Sequence, residues 1–202
     1  MSRYKATLEY FGKPFVGWQR QKNGFSVQQA LEEAIKSFCG QDVVTYVAGR
    51  TDAGVHAFGQ VCHFEIEKKE TTETIRNAIN FHLKPNPITV LNVVEVDQTF
   101  HARFSAKERH YRYKIINRVT PSAIYSDLSW WVPQSLDIDL MIAASKCLIG
   151  KHDFSTFRAA GCQAKTPIKT LNSITFWREG DEVVMETKAK SFLYHQVRNM
   201  AG

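Results

Sequence analysis

The amino-acid sequence predicts an α+β fold in which two ferredoxin-like units share an extended, mostly antiparallel sheet, with helices on one face and a basic cleft on the other. Two observations predict this fold. Residues 1–99 read strand, helix, strand, strand, helix, strand, which is the order of a split βαβ unit. Residues 100–202 repeat strand, helix, strand, strand, helix, and no linker rich in proline or serine separates the halves. With 44% hydrophobic residues, a chain of 202 residues can bury a core of this size.

The first strand is predicted over residues 4–10, where apolar and polar side chains alternate. Residues 11–25 form a glycine-containing loop with basic and aromatic side chains, and loops of this length are often functional. Ser26 then begins a helix, because Gln29 three residues later completes a capping box. Gly40 ends this helix as a C-terminal cap.

The rest of the first unit follows from the same signals. Strands are predicted over 43–48 and 58–66, on either side of a short loop. A second helix covers about 72–83, and residues 88–96 form the last strand. This N-terminal α/β unit, residues 1–99, contains the candidate catalytic loop, residues 49–57, between its second and third strands.

The second unit, residues 100–202, has a similar order of elements. A strand is predicted over 111–117 and a hairpin over 171–177 and 183–190. A helix is predicted over about 137–149, and its expected inward-facing residues are Leu140, Ala143, Ala144, Cys147 and Leu148. Residues 151–166 are expected to be a loop, and a final helix begins near residue 192.

The distribution of charge favours a polyanionic partner. The net charge is +6, and six basic residues lie between 103 and 118 against one acidic residue. Tyr111 and Tyr113 alternate with these cations, and basic groups for phosphates together with flat rings for bases are what the recognition of unpaired RNA needs. The open face of an RRM-like sheet would present them. The alternative is a solvated strand face, where most runs of charge belong.

The four cysteines form no Cys-x-x-Cys pair, and the seven histidines show no metal-ligand spacing on one helix. We therefore expect buried or free thiols in a reducing compartment, no disulfides and no metal site. No stretch approaches the ~18 apolar residues of a membrane span, and the first residues do not resemble a signal peptide. These observations predict a cytoplasmic protein with no membrane partner.

Residues 49–57, GRTDAGVHA, concentrate polar chemistry between two predicted strands. Arg50, Asp52 and His56 lie within this loop together with two glycines. A turn is the alternative, because aspartate and glycine are common turn residues, and composition alone favours it.

Five stretches of the sequence resemble the motifs of the tRNA pseudouridine synthase A family, in the order in which that family has them. They are GWQRQ at 17–21, GRTDAGVHA at 49–57, FHARFSA at 100–106, RHYRY at 109–113 and FLYHQVRNM at 192–200. The resemblance spans essentially the whole chain. It implies an isomerase that converts uridines of the tRNA anticodon stem-loop to pseudouridine, without a cofactor and as a homodimer.

The resemblance also implies roles for individual residues. Asp52 matches the catalytic aspartate, and Arg50 matches the residue that helps to flip the target nucleotide out of its stack. Tyr111 matches the tyrosine that stacks on the uracil, although packing in the core is its first interpretation without the family. Arg198 matches the arginine that pairs with the catalytic carboxylate, which would keep the carboxylate ionised.

Further RNA contacts are expected at Arg20, His56, Arg103 and Arg109. His56 is equally interpreted as a hydrogen-bonding residue of the loop, and we expect Trp18 to pack rather than to contact RNA. The family continues beyond Met200, so the chain is expected to be a fragment or a shortened member whose second unit is incomplete. Two other functions stay open, a tRNA-binding relative without catalysis and a glycosidase acting on nucleosides, which would usually need a second carboxylate.

Overall fold

The computed structural model describes residues 1–202 and divides them into two compact units, Met1–Ala106 and Lys107–Gly202. The sequence predicted a boundary after residue 99, and the structure has it seven residues later, after Ala106. Residues 100–106 belong to the first unit because they pack on its sheet. The backbone N–H of Ala102 donates a hydrogen bond to Nδ1 of the buried His63, with an N···N distance of 3.2 Å.

The first unit contains one four-stranded antiparallel sheet, with strand order β2-β3-β1-β4. Its strands are β1 (Ser2–Tyr10), β2 (Tyr46–Val47), β3 (Ala57–Ile66) and β4 (Ile88–Val96). Its helices are α1 (Val27–Cys39), α2 (Thr72–Leu83) and the short α3 (Ala102–Ser105). Where a strand was predicted over 43–48, only the two residues of β2 pair with β3.

The two faces of the first sheet differ as the alternation in β1 predicts. Tyr4, Ala6, Leu8 and Tyr10 are all buried and belong to one apolar core with α1 and α2. The capping box of α1 is confirmed in its first half, since the Ser26 hydroxyl accepts a hydrogen bond from the backbone N–H of Gln29 at 3.1 Å. The left-handed glycine that ends α1 is also confirmed.

The second unit contains one five-stranded sheet with strand order β6-β5-β9-β8-β7. Its strands are β5 (Arg109–Ile116), β6 (Trp130–Trp131), β7 (Gly150–Asp153), β8 (Ile168–Glu179) and β9 (Glu182–Ala189). All neighbours are antiparallel except β5 and β6. The helices are α4 (Ile138–Ser145) and α5 (Gln196–Ala201). None of the five helices in the protein has the length and apolar character that a bilayer crossing requires.

One face of the second sheet is the core face. In β9, the alternate residues Val183, Met185, Thr187 and Ala189 are almost completely buried. By the register of β5 with β9, Tyr111 lies opposite Thr187 and therefore points to this core face. The helix α5 packs against β5 on this side of the sheet.

The α+β class and the mostly antiparallel pairing are confirmed. The expectation of a single extended sheet needs correction, because hydrogen bonds join the strands into two sheets of four and five strands. Alternating hydrophobicity identifies a strand and its buried face, but it carries no information about which edges pair. The order of elements therefore predicted the two units and not the extent of their sheets.

The helix predicted over 137–149 is shorter and rotated. The helix ends at Ser145, and a 3₁₀ turn covers Lys146–Leu148. The stretch 151–166, which was expected to be a loop, begins within the strand β7. Leu140 was expected to face inward and is 67% exposed, whereas Ser145 is buried. Nearly every residue from Ile138 to Ala144 is apolar, apart from one aspartate, so the pattern identified a helix without defining its inner face.

Candidate active site

The loop 49–57 connects β2 to β3 and carries Asp52. A backbone hydrogen bond from the N–H of Val55 to the carbonyl oxygen of Asp52, 3.2 Å long, closes a turn around the aspartate. Gly54, inside this turn, has the left-handed φ of 76°. The side chain of Asp52 is half-buried, whereas Arg50 extends into solvent. The turn that composition favoured is therefore present, and it presents the carboxylate at the surface of the first unit.

A second loop, residues 11–25, supports the Asp52 loop through backbone hydrogen bonds. The N–H of Trp18 donates to the carbonyl oxygen of Thr51 at 3.0 Å. The N–H of Gly54 donates to the carbonyl oxygen of Phe15 at 3.4 Å. Bonds on both sides of Asp52 therefore fix the backbone from which its side chain projects.

The close approach of the two loops requires glycine. A Cβ atom on Gly17 would lie 2.7 Å from the carbonyl oxygen of Thr51, and Gly17 has a φ of 110° that other residues rarely adopt. A Cβ atom on Gly12 would lie only 2.0 Å from the carbonyl oxygen of Val55. These two glycines explain why the loop 11–25 can act as a support for the loop 49–57.

His56 holds the same pair of loops together. Its Nδ1 accepts a hydrogen bond from the backbone N–H of Gly12 at 3.0 Å, and its ring packs 4.7 Å from that of Phe11. The interpretation of His56 as a hydrogen-bonding residue of the loop is confirmed. Trp18 is 1% exposed, which confirms that it packs in the core of the first unit.

Tyr10 of β1 supports the loop 49–57 through a side-chain hydrogen bond, a role that was not predicted from the sequence. Its hydroxyl lies 2.8 Å from the hydroxyl of Thr51. Gln60 donates one hydrogen bond to the Tyr10 hydroxyl at 3.4 Å and another to the carbonyl oxygen of Gly49 at 2.8 Å. Burial raises the pKa of Tyr10, so its hydroxyl remains a neutral hydrogen-bonding group. In sequence, Tyr10 is only one more apolar position of a strand.

Arg20 is exposed, but it pairs with the buried carboxylate of a hydrogen-bond network in the first unit. Its guanidinium lies 3.1 Å from Glu32 of α1, and the other carboxylate oxygen of Glu32 accepts hydrogen bonds from the N–H and the hydroxyl of Thr45. Gln28 donates to the same oxygen at 2.9 Å. The network ties α1 to the segment that leads into β2. An acidic residue on the apolar face of α1 was the one sequence signal for it.

Arg103 lies on α3, where it is exposed and 5.8 Å from the ring of Phe104. The helix α3 is held by the hydrogen bond from Ala102 to His63. Burial, together with the charges of His101 and Arg3, lowers the pKa of His63 to about 4, so His63 is neutral and accepts this bond. No pattern in the sequence had indicated a role for His63.

In the second unit, Tyr111 is half-buried, and its ring meets that of Phe192 edge to face at 5.2 Å. Arg109, two residues before it, donates a hydrogen bond from its guanidinium to the carbonyl oxygen of Lys190. Arg198 is exposed on α5, the helix that packs against β5. The second unit thus brings Tyr111 and the helix carrying Arg198 to the same side of one sheet.

Half of the six cations in the basic tract 103–118 are paired within the protein. Three of its cations form ion pairs with carboxylates at the neighbouring strand β9 or at the turn before it: Arg112 with Glu186 at 3.2 Å, Lys114 with Glu182 at 3.0 Å and Arg118 with Asp181 at 3.0 Å. By strand alternation, Arg112 and Lys114 point away from the face of Tyr111. For these residues the interpretation as a solvated strand face is the better one.

The four cysteines are free thiols, as predicted. Cys62 is completely buried in the first core, and burial raises the pKa of its thiol. The structure groups no three His, Cys, Asp or Glu side chains in a way that could hold a metal ion.

Comparison with known proteins identifies the family. A family model described as tRNA pseudouridine synthase matches residues 6–105 and 144–202. A tRNA pseudouridine synthase A of Parvibaculum lavamentivorans is 50% identical over 202 residues, which is all of this chain and 82% of that protein. Proteins of the same name from Rhodospirillum centenum and Brucella ovis are each 52% identical, and the chain covers 82% and 81% of their lengths. The chain therefore belongs to the tRNA pseudouridine synthase family, whose enzymes are isomerases that convert uridine to pseudouridine.

Proposed function

We propose that this protein isomerises uridines of the tRNA anticodon stem-loop and that the carboxylate of Asp52 is its catalytic group. The observation that carries this proposal is the construction of the Asp52 loop. Backbone hydrogen bonds from the loop 11–25 hold the residues on both sides of Asp52, and Gly12 and Gly17 permit the contact. A carboxylate fixed in this way is already oriented before the substrate binds, which is a large part of what a catalytic group needs.

The reaction requires one carboxylate and no cofactor. The N1–C1′ bond of uridine breaks, the uracil turns, and a C5–C1′ bond forms. C5 loses its proton, N1 gains one, and the substrate is neither oxidised nor reduced. Asp52 acts either as a nucleophile that holds the ribose or the base, or as a base at C2′.

Arg50 and Tyr111 prepare the nucleotide in this proposal. A uridine in a stem is out of reach until it is flipped out of the stack. Arg50, which is exposed beside Asp52 in the same loop, supports the flipped nucleotide or fills the space it leaves. The ring of Tyr111 stacks on the uracil, and its half-buried, edge-to-face contact with Phe192 would hold that ring in one orientation.

Arg198 is proposed as the ion-pair partner of Asp52, which would keep the carboxylate ionised and its side chain oriented. Arg103 and Arg109 are proposed as contacts to the RNA backbone. We assign Arg20 and His56 a supporting role, because Arg20 pairs with Glu32 and His56 accepts a hydrogen bond from Gly12.

We also propose that the enzyme works in the cytoplasm, where its four thiols stay reduced, and that it is a homodimer. The native mass of the protein, compared with 23.1 kDa for one chain, tests the dimer directly. A mass of one chain at micromolar concentration would contradict it.

The function is tested by the release of tritium from tRNA that carries 5-³H-uridine. Wild-type protein should release tritium and leave the base in the RNA. Asp52→Asn should lower the rate at least ~1,000-fold, as expected for the loss of a nucleophile or base, while tRNA affinity stays equal or increases because a negative charge is removed.

Asp42→Asn is the matched control, since Asp42 is an exposed aspartate of the same unit that pairs only with Lys36. It should keep the wild-type rate. A large loss of tRNA affinity in Asp52→Asn would make Asp52 structural. Free uracil among the products would identify a hydrolase instead of an isomerase.

A further inference from the structure

A cationic groove of about 460 Å³ lies in the second unit, beside the strands β7 and β8. Four lysines line it, together with neutral polar side chains such as Thr170 and Ser191: Lys107, Lys151, Lys169 and Lys190. None of these lysines belongs to the residues that the family resemblance connects with the uridine. The groove is therefore a charged feature that the proposed function has not used.

The sheet brings the residues that line the groove into one region from distant parts of the sequence. Lys151 of β7 lies opposite Thr170 of β8, so these two side chains share one face of the sheet. Lys169 lies opposite His152 and points by strand alternation to the other face. Lys190 directly follows β9, whose last residue Ala189 is buried opposite Leu171, so Lys190 falls by alternation on the face of Lys151 and Thr170. The guanidinium of Arg109 binds the carbonyl oxygen of Lys190. This bond fixes the end of β9 beside the start of β5, which Lys107 precedes.

The four ammonium groups have no partner in the structure. They form no ion pair and no hydrogen bond, in contrast to Arg112, Lys114 and Arg118, which all pair with carboxylates. The carboxylate adjacent in sequence to Lys107 is Glu108, and its two oxygens bind Asn172 at 2.6 Å and His110 at 2.5 Å.

Several unpaired charges of one sign around one groove favour an anion with several charges. Like charges repel, and a ligand that presents a series of negative groups can pair with several of them at once. An RNA backbone presents phosphates in this way. Lysine is a flexible point charge without the planar fork that reads a base edge, so this groove is suited to phosphates and not to sequence. The hydroxyls of Thr170 and Ser191 add neutral donors for phosphate or ribose oxygens.

We propose that this lysine groove binds the sugar–phosphate backbone of the tRNA substrate and holds it independently of base sequence. The proposal rests on the proposed function only in naming tRNA as the polyanion. The groove contributes to affinity and to the salt dependence of binding, while Asp52 performs the chemistry. Replacing the lysines therefore weakens binding without changing the rate of the bound complex.

The test compares two doubly substituted proteins in the binding of fluorescein-labelled tRNA at a series of salt concentrations. In Lys151→Gln/Lys190→Gln, two phosphate contacts are removed. The slope of log Kobs against log salt should decrease in magnitude by about 1.5, at about 0.7–0.9 for each contact. At ~0.1 M salt, the same slope corresponds to a loss of affinity of roughly fivefold to eightfold per lysine.

The control is Lys69→Gln/Lys146→Gln, which removes the same charge from two exposed lysines outside the groove. Its slope should differ from that of wild type by less than about 0.5, which is less than the contribution of one phosphate contact. Lys151→Arg/Lys190→Arg, which keeps both charges, should retain the wild-type slope. Thermal unfolding of all variants should match wild type, because the substituted side chains make no hydrogen bond or ion pair.

Single-turnover tritium release at saturating protein separates this proposal from the proposed function. The groove variant should reach the wild-type rate once enough protein is present to bind all of the tRNA. Equal salt slopes for the groove variant and the control would overturn the groove proposal even if wild type is active. Absence of tritium release by wild type would overturn the proposed function, and the salt slopes would still decide whether the groove binds RNA.

Discussion

The substitution Gly12→Ala tests whether the position of the Asp52 loop depends on its contact with the loop 11–25. A Cβ atom on Gly12 would lie 2.0 Å from the carbonyl oxygen of Val55 and 2.5 Å from its carbonyl carbon. Both atoms belong to the backbone of the loop that carries Asp52, so no side-chain rotation can relieve the overlap. One of the two loops has to move.

The size of the displacement follows from these distances. Ordinary contacts of a Cβ atom begin at 3.4 Å, so the carbonyl group of Val55 must move by about 1.4 Å to make room. The hydrogen bond between Val55 and Asp52 would transmit this movement to the aspartate. A misplacement of ~1 Å costs about 100-fold in rate. Overpacking of this kind destabilises a protein by roughly 1–3 kcal/mol, so we expect a folded protein with a slow reaction.

The assay is single-turnover tritium release from tRNA, measured together with tRNA affinity and the free energy of unfolding. Gly12→Ala should react about 100-fold more slowly than wild type while its affinity changes less than about threefold, because the proposed phosphate contacts lie elsewhere. Gly59→Ala is the control. Gly59 lies in β3, and a Cβ atom added there has no heavy atom within 4 Å.

A folded Gly12→Ala protein with the wild-type rate would show that the Asp52 loop tolerates a shift of more than 1 Å. The claim that the loop 11–25 positions the carboxylate would then be wrong. An equal loss of rate in Gly59→Ala would show that the assay reports any alanine in this part of the unit, and it would remove the support for a specific contact.

Two further predictions concern the buried polar groups of the first unit. In chemical denaturation, Glu32→Ala should lower the free energy of unfolding by about 3 kcal/mol, because it leaves the N–H of Thr45 without an acceptor. Glu32→Gln keeps a neutral oxygen there and should cost only about 1 kcal/mol, and equal losses would mean that the network contributes nothing specific. Wild type should lose up to about 3 kcal/mol of stability as the pH falls from about 6.5 to about 4, because His63 takes up a proton near the higher pH when unfolded and only near the lower pH when folded. His63→Asn should lose less stability over this range. If the pH dependence of stability were unchanged in His63→Asn, other groups would cause it.

Local signals in the sequence predicted most of the elements of the first unit. The capping residues Ser26 and Gly40 placed the ends of α1, and alternation identified both β1 and its buried face. Each of these signals acts within a few residues along the chain. They succeed because the local preference and the final packing agree at these positions.

The supports of the candidate site could not be predicted in the same way. Tyr10, Gln60 and Glu32 act through contacts with residues that are at least 11 positions away in sequence. Gly12 and Gly17 were visible as loop glycines, but only the structure shows that each has a backbone atom of the other loop where its Cβ would be. The motif GRTDAGVHA identified the loop, and the geometry explains what keeps it in place.

The second sheet shows why neighbours in sequence are not neighbours in space. Tyr111 and Arg112 are adjacent in the tract that predicted RNA binding, yet the pleat of β5 turns them to opposite faces of the sheet. Arg112 then finds Glu186 across the strand pair, and its charge is largely neutralised within the protein. The cations available to phosphates are those without a carboxylate opposite them. Lys107 and Lys190 meet this condition because they lie just beyond the ends of β5 and β9, where no cross-strand partner is present.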